Sequence, residues 1–291
     1  MNIGLCIRIV GLLLMLFSLG TLPSMVLGWV QKDGTAEVFG QAFAATAISG
    51  VVLSLLTQRV NTELQIRDGF LVTAAFWIVL SLYGSLPFLL SDAIQVSVFD
   101  AVFESVSGLT TTGATVLAGL DKLPQSILLY RQLLQWLGGI GIIVLAVAVL
   151  PMLGIGGVQL YRAESTGPAK DSKLTPRITS TAKALFSIYL GLTVACAAAY
   201  YLAGMSAFDA ISHAFSTIAI GGFSTHDASM GYFQSDVILL IACLFMLISA
   251  VNFGLHFVAF SKRNPGIYRF DSETKFFCGV LLISTIVTCI T

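Results

Sequence analysis

Of the 291 residues, 56% are hydrophobic and only 10% charged, and the formal net charge is zero. A soluble domain carries roughly 25% charged residues, so the composition excludes an ordinary soluble enzyme, and with no basic cluster nucleic-acid binding has little support. The five cysteines, Cys6, Cys196, Cys243, Cys278 and Cys289, lie in apolar runs without metal-ligand spacing and read as small core residues.

About 20 apolar residues are needed to cross the hydrocarbon layer of a membrane. In chain order, that length is met by Leu5 to Val30, Glu37 to Thr57, Phe70 to Leu90, Pro124 to Leu150, Ala182 to Leu202 and Asp236 to Phe260. Arg8 ahead of an apolar core resembles a secretory signal, but the first run is too long and has no small-residue cleavage site. It is expected to stay as a helix. A seventh run starts near Phe276 and has about 16 residues, short of a crossing, so the chain reads as a fragment. Two further stretches, Val98 to Leu109 and Ala207 to Ile218, are too short to cross and too apolar for surface loops. They are expected to be re-entrant half-helices. The fold class is therefore an all-α polytopic membrane protein.

Basic residues test the orientation. With the amino terminus cytoplasmic and both short segments re-entrant, twelve of them fall inside: Arg8, Arg59, Arg67, Arg162, Lys170, Lys173, Arg177, Lys183, Lys262, Arg263, Arg269 and Lys275. Only Lys32, Lys122 and Arg131 fall outside. The positive-inside rule favours this arrangement, and full crossings by the short segments would largely erase the bias.

The stretch FDAVFESVSGLTTTGAT, Phe99 to Thr115, lies over FDAISHAFSTIAIGGFS, Phe208 to Ser224, without a gap at an offset of 109 residues. Ser107 meets Ser216, Gly113 meets Gly222, and the flanking apolar runs coincide to within a few residues. The chain thus holds an internal repeat of span, re-entrant helix, polar loop and span. The expected divisions are a two-helix extension over 1–66, a first pore repeat over 67–168, a second over 169–266, and the start of a third over 267–291.

Non-helical backbone at membrane depth must face protein or water, because unpaired carbonyls in lipid cost several kcal/mol each. The loops after the two short helices are therefore expected to line an aqueous path. The carboxyl end of a short helix adds partial negative charge, glycine lets carbonyls turn toward the axis, and such carbonyls replace the water shell of a monovalent cation. No carboxylate lies within either loop, which argues against a divalent-cation site. Asp92, Asp121, Asp227 and Asp236 read as solvated acids near the mouth, and Asp100 and Asp209 as first-turn helix acids. Glu104 and His213 occupy equivalent places in the two short helices, and an acid at that depth needs a partner or the pore. Arg131 is expected to snorkel or to pair with an acid. The run GGIGIIV, Gly138 to Val144, has no preceding strand and reads as close helix packing rather than a dinucleotide loop. His226 and His256 read as isolated, with no metal cluster suggested.

TTTGAT in the first loop, QWLGGIGIIVLAVAVLP from Gln135, YRAESTGP from Tyr161 and STIAIGGFSTHD from Ser216 together resemble the TrkH/TrkG branch of the Trk/Ktr/HKT superfamily. The resemblance covers nearly the whole chain. It implies potassium uptake through four repeats around a pseudo-fourfold pore, here with two of the four loops. The implied filter positions are Thr110, Thr111, Thr112 and Gly113, and Ala219, Ile220, Gly221 and Gly222. The resemblance further implies potassium as the bound ion, no organic cofactor in this chain, a homodimer in the bacterial inner membrane, and a cytosolic nucleotide-binding regulatory partner of TrkA type. The cytoplasmic segments 162–183 and 262–275 are the expected contact surfaces for it. Sodium preference, cation symport, or a non-conducting fragment stay open as alternatives. An inverted-repeat secondary transporter is disfavoured because both repeats point the same way, and no clustered dyad suggests an enzyme.

Overall fold

In the computed structural model of the chain, residues 2–58, 66–144 and 174–290 are described, and these are helical throughout with short connections. Helix α1, Ile3–Ser18, starts at Asn2, whose side chain accepts from the Leu5 amide at 3.4 Å. A single tight turn links it to α2, Leu22–Gln31, so the pair makes one 29-residue crossing. Helix α3, Ala36–Leu56, returns alongside α1. The two approach closely at small residues: a Cβ added to Gly11 would lie 2.8 Å from the Gly50 carbonyl oxygen. With no hydrophobic drive between helices in lipid, such close contact is what holds a helix pair together.

Helix α4, Ile66–Gly84, continues through Ser85 into α5, Leu86–Leu90, completing the third crossing. The first short helix, α6, spans Val98–Leu109, and α7, Gln125–Val144, follows. The second repeat runs through α8, Leu174–Leu202, the short α9, Ala207–Ile218, and α10, Asp236–Ala250. Helix α7 is the centre of the assembly, packed against α2, α6 and α9. At its amino-terminal end the loop carboxylate Asp33 accepts from the Thr35 amide and hydroxyl and from the Ser126 hydroxyl at 2.7 to 3.0 Å. Burial works against the Asp33 charge, but these donors outweigh it and hold the carboxyl below its ordinary range.

Four expectations are corrected or limited. Of the five cysteines read as core residues, Cys6 and Cys196 are buried, but Cys243, Cys278 and Cys289 are exposed on their helices. The run Asp236 to Phe260 is not one helix: α10 and α11, Phe253–Lys262, meet at an angle of 87°. Val251 is extended at the break, the Asn252 side chain caps α11 through the Gly254 amide at 2.9 Å, and His256 takes up the Ile248 carbonyl. The last helix, α12, covers Ser272–Ile290, because Asp271 accepts from the amide and hydroxyl of Thr274 and starts it four residues before Phe276. At 19 residues it is long and apolar enough to cross, and none of its described residues is buried. The end of the Pro124 to Leu150 span and the YRAESTGP motif lie outside the described residues.

Candidate functional site: the paired re-entrant loops

Both short helices begin in the same way. Ser97 and Ser206 accept from the amides of Asp100 and Asp209 at 3.2 and 3.0 Å, and each aspartate accepts from its own serine hydroxyl at 2.7 Å. Such caps satisfy amides that a helix start leaves without partners.

Both helices also end in the same way. Thr111 and Ile220 have φ of 56° and 52°, and Gly113 and Gly222 have φ of 77° and 86°, each pair again separated by 109 residues. The Thr112 amide donates to the Ser107 carbonyl at 2.9 Å, and the Gly221 amide to that of Ser216 at 2.8 Å. With Thr111 bonded to Gly108 and Ile220 to Thr217, each terminus is a Schellman motif. Glycine normally fills the left-handed position of that motif. Here a β-branched residue holds it, and the glycine comes two residues later, in the loop proper. Left-handed backbone costs a non-glycine residue about 1 to 2 kcal/mol, and such strain persists where surroundings enforce it. Sequence reading placed the glycines but missed this feature, whose signal was the unusual order Thr-Thr-Gly and Ile-Gly-Gly.

The two loops lie side by side. A Cβ on Gly113 would overlap the carbonyl oxygen of Gly221, whereas one on Gly222 would meet nothing within 4 Å. The structure therefore brings Gly113 and Gly221 together. It leaves Thr110 partly exposed at the helix end, its hydroxyl 2.8 Å from that of Thr112. Close packing also accounts for GGIGIIV, since a Cβ on Gly138 would overlap the Leu109 carbonyl at the end of α6.

Behind the loops is a polar framework. Arg131 on α7 is fully buried, with Nε 2.7 Å from Glu104 Oε1 on α6, so it pairs rather than snorkels. Glu104 also accepts from the Thr115 hydroxyl at 2.9 Å and the Val116 amide at 3.1 Å. In the second repeat His213 replaces Glu104, and its Nε2 lies 2.9 Å from Ser224 Oγ, the counterpart of Thr115. Its Nδ1 is 2.9 Å from the Asp209 carbonyl. A carbonyl only accepts, so Nδ1 carries a proton, and in the neutral ring Nε2 accepts from the Ser224 hydroxyl.

Outside the loops, the acids read as solvated are partly engaged. Asp121 accepts from His226 at 2.5 Å, and Asp227 accepts from the Gly119 amide at 2.9 Å, so the two repeats interlock. Hydrogen bonding from His226 pulls the Asp121 carboxyl below its ordinary range. Asp209 is more than a first-turn acid, since Oδ1 accepts from the Thr225 hydroxyl at 2.7 Å and lies 3.3 Å from His226 Nε2. His226 is thus not isolated, and it also stacks on Tyr232 with ring centroids 3.5 Å apart. Nor is His256, which bonds Tyr268 and the Ile248 carbonyl. Asp92 and Asp236 remain exposed. Among the described residues no cluster of metal-ligating side chains is found.

Repeated units of span, short helix, glycine loop and span define a helical membrane protein built on the plan of potassium channels. Known proteins share that plan and sequence. A family model for TrkH, a cation transport protein, matches residues 35–291. The Trk system potassium uptake protein TrkH of Halomonas elongata is 55% identical over 290 residues, which cover 98% of this chain and 60% of that protein. TrkH of Vibrio parahaemolyticus is 58% identical over 279 residues, covering 95% and 58%. The crystal structure of the potassium transporter TrkH from Vibrio parahaemolyticus matches with a TM-score of 0.89 at 52% identity, covering 99% of this chain and 58% of that one. The chain belongs to the TrkH family of cation transport proteins. It spans about 60% of the length of the curated relatives it matches.

Proposed function

We propose that this chain forms part of the pore of a Trk-type potassium uptake system. In this reading Thr110, Thr111, Thr112 and Gly113 turn carbonyls toward a dehydrated potassium ion from one side, and Ala219, Ile220, Gly221 and Gly222 do so from another. The observation that carries it is the repeated backbone path: left-handed residues at 111, 113, 220 and 222, with Gly113 against the Gly221 carbonyl. Permeation is channel-like, with the ion as substrate and the short-helix carboxyl ends favouring its charge. The pore repeats divide near residues 67, 169 and 267.

The protein sits in the bacterial inner membrane with its amino terminus cytoplasmic, which the distribution of basic residues supports. The relatives' designation as parts of a Trk system supports a further component. We assign that role to a cytosolic nucleotide-binding subunit of TrkA type contacting 162–183 and 262–275, with the pore protein as a homodimer. Rubidium flux into liposomes containing the full-length protein tests the central assignment. Gly113→Asp is expected to abolish flux with expression and assembly intact, and normal flux would sink it.

A further inference from the structure

The second loop is held by a helix of the first repeat. Arg131 on α7 donates from Nη1 to the Ser224 carbonyl at 3.0 Å, and its guanidinium lies 4.3 Å from the centroid of the Phe223 ring. One turn further along α7, Gln135 Oε1 accepts from the Phe223 amide at 3.1 Å, and its side chain fills the space beside Gly221. Arg131 also reaches the first loop, donating from Nη2 to the Thr115 hydroxyl at 3.0 Å. Its charge is balanced by Glu104, and Glu104, Arg131 and Gln135 are all fully buried.

The same positions one repeat later, 109 residues on, are Leu240 and Leu244. Both are exposed, and neither side chain has a hydrogen-bonding group. The brace is therefore built once among the described residues, from α7 onto the loop of the next repeat.

We infer that Arg131 and Gln135 are positioning residues for ion selection, coupling the second loop's carbonyls to the first. This inference rests on the reading of the loops as the filter. Buried charge-assisted bonds fix position more tightly than apolar contacts, and an amide anchored at Phe223 restrains the Gly221 and Gly222 carbonyls beside it. Selection between potassium and sodium depends on how firmly and how far apart carbonyls are held.

The test compares variants of the full-length protein in liposomes, measuring potassium against sodium permeability from reversal potentials. Gln135→Leu keeps volume and charge, and it is expected to lower the potassium preference several-fold with unchanged protein yield. Arg131→Met would strand the Glu104 charge, so it is made together with Glu104→Gln. The double variant is expected to shift the preference in the same direction, and Arg131→Lys to retain part of it. A preference equal to the parent's in Gln135→Leu and the double variant overturns the inference, as does lost yield with the preference per molecule preserved. Gly222→Asp, run in parallel, separates the two readings: if it conducts normally the filter assignment itself fails, whereas if it is inactive while the brace variants stay selective, only the brace fails.

Discussion

The two short helices follow one backbone path with two different polar solutions. In the first, Glu104 reaches Thr115 and is matched by the Arg131 guanidinium. In the second, an imidazole, His213, reaches Ser224 at the same positions. What they share are the serine caps, the Schellman ends and the glycines at a fixed distance beyond them. The path is thus set by local backbone chemistry, and the charge behind it is free to differ as long as the buried charge itself is matched, as Glu104 is by Arg131.

The strongest way to break this comparison is to strand one charge. Arg131→Met alone leaves a buried carboxylate with hydroxyl and amide partners only, at about 3 to 5 kcal/mol. Membrane yield and melting temperature of the purified protein should drop sharply, and adding Glu104→Gln should restore most of both. Next in size is a contrast between glycines. Gly113→Ala forces a methyl into the Gly221 carbonyl and should remove most rubidium flux. Gly222→Ala meets open space, so it pays only left-handed strain of about 1 to 2 kcal/mol and should retain measurable flux.

A smaller effect is expected from His213→Ala, which removes the acceptor of the Ser224 hydroxyl at about 1 to 3 kcal/mol. Its melting temperature should fall less than that of Arg131→Met. Ser97→Ala and Ser206→Ala should each cost about 1 kcal/mol, because each removes the hydroxyl that accepts from the aspartate amide three residues on. The smallest effect concerns acid. The Asp121 carboxyl is held low, so its tie to His226 is fully present above the ordinary carboxylate value of 3.8 and is lost as pH falls through the lower folded value. Asp121→Asn should remove that part of the acid dependence of thermal unfolding.

Much of the plan was readable because it rests on length and repetition. Runs of apolar residues fix where helices cross, and an offset of 109 residues exposed the short helices and their glycines without any coordinates. The polar framework was only half readable: Glu104 and His213 stood out as equivalent polar groups in the short helices and Arg131 as a cation near a span end, but their partners lie 11 to 93 residues away along the chain. Gln135 and Ser224 drew no notice as supports, since a glutamine facing solvent and one bonding a neighbouring loop look alike in sequence. The break after Ala250 was hidden because no proline marks it and Gly254, whose amide is capped there, reads as a small packing residue in an apolar run. Asn252 ahead of an apolar run was its one signal, since asparagine favours the first position of a new helix.

That break also has a bearing on the bilayer itself. Helix α10 has 15 residues and so rises about 22 Å, against an apolar layer about 30 Å thick. A crossing made by α10 alone would be short by about 8 Å, and α10 reaches spanning length only together with α11. Where the apolar helix of the second repeat stops is therefore set by Val251, Asn252 and His256, and straightening that joint would lengthen it.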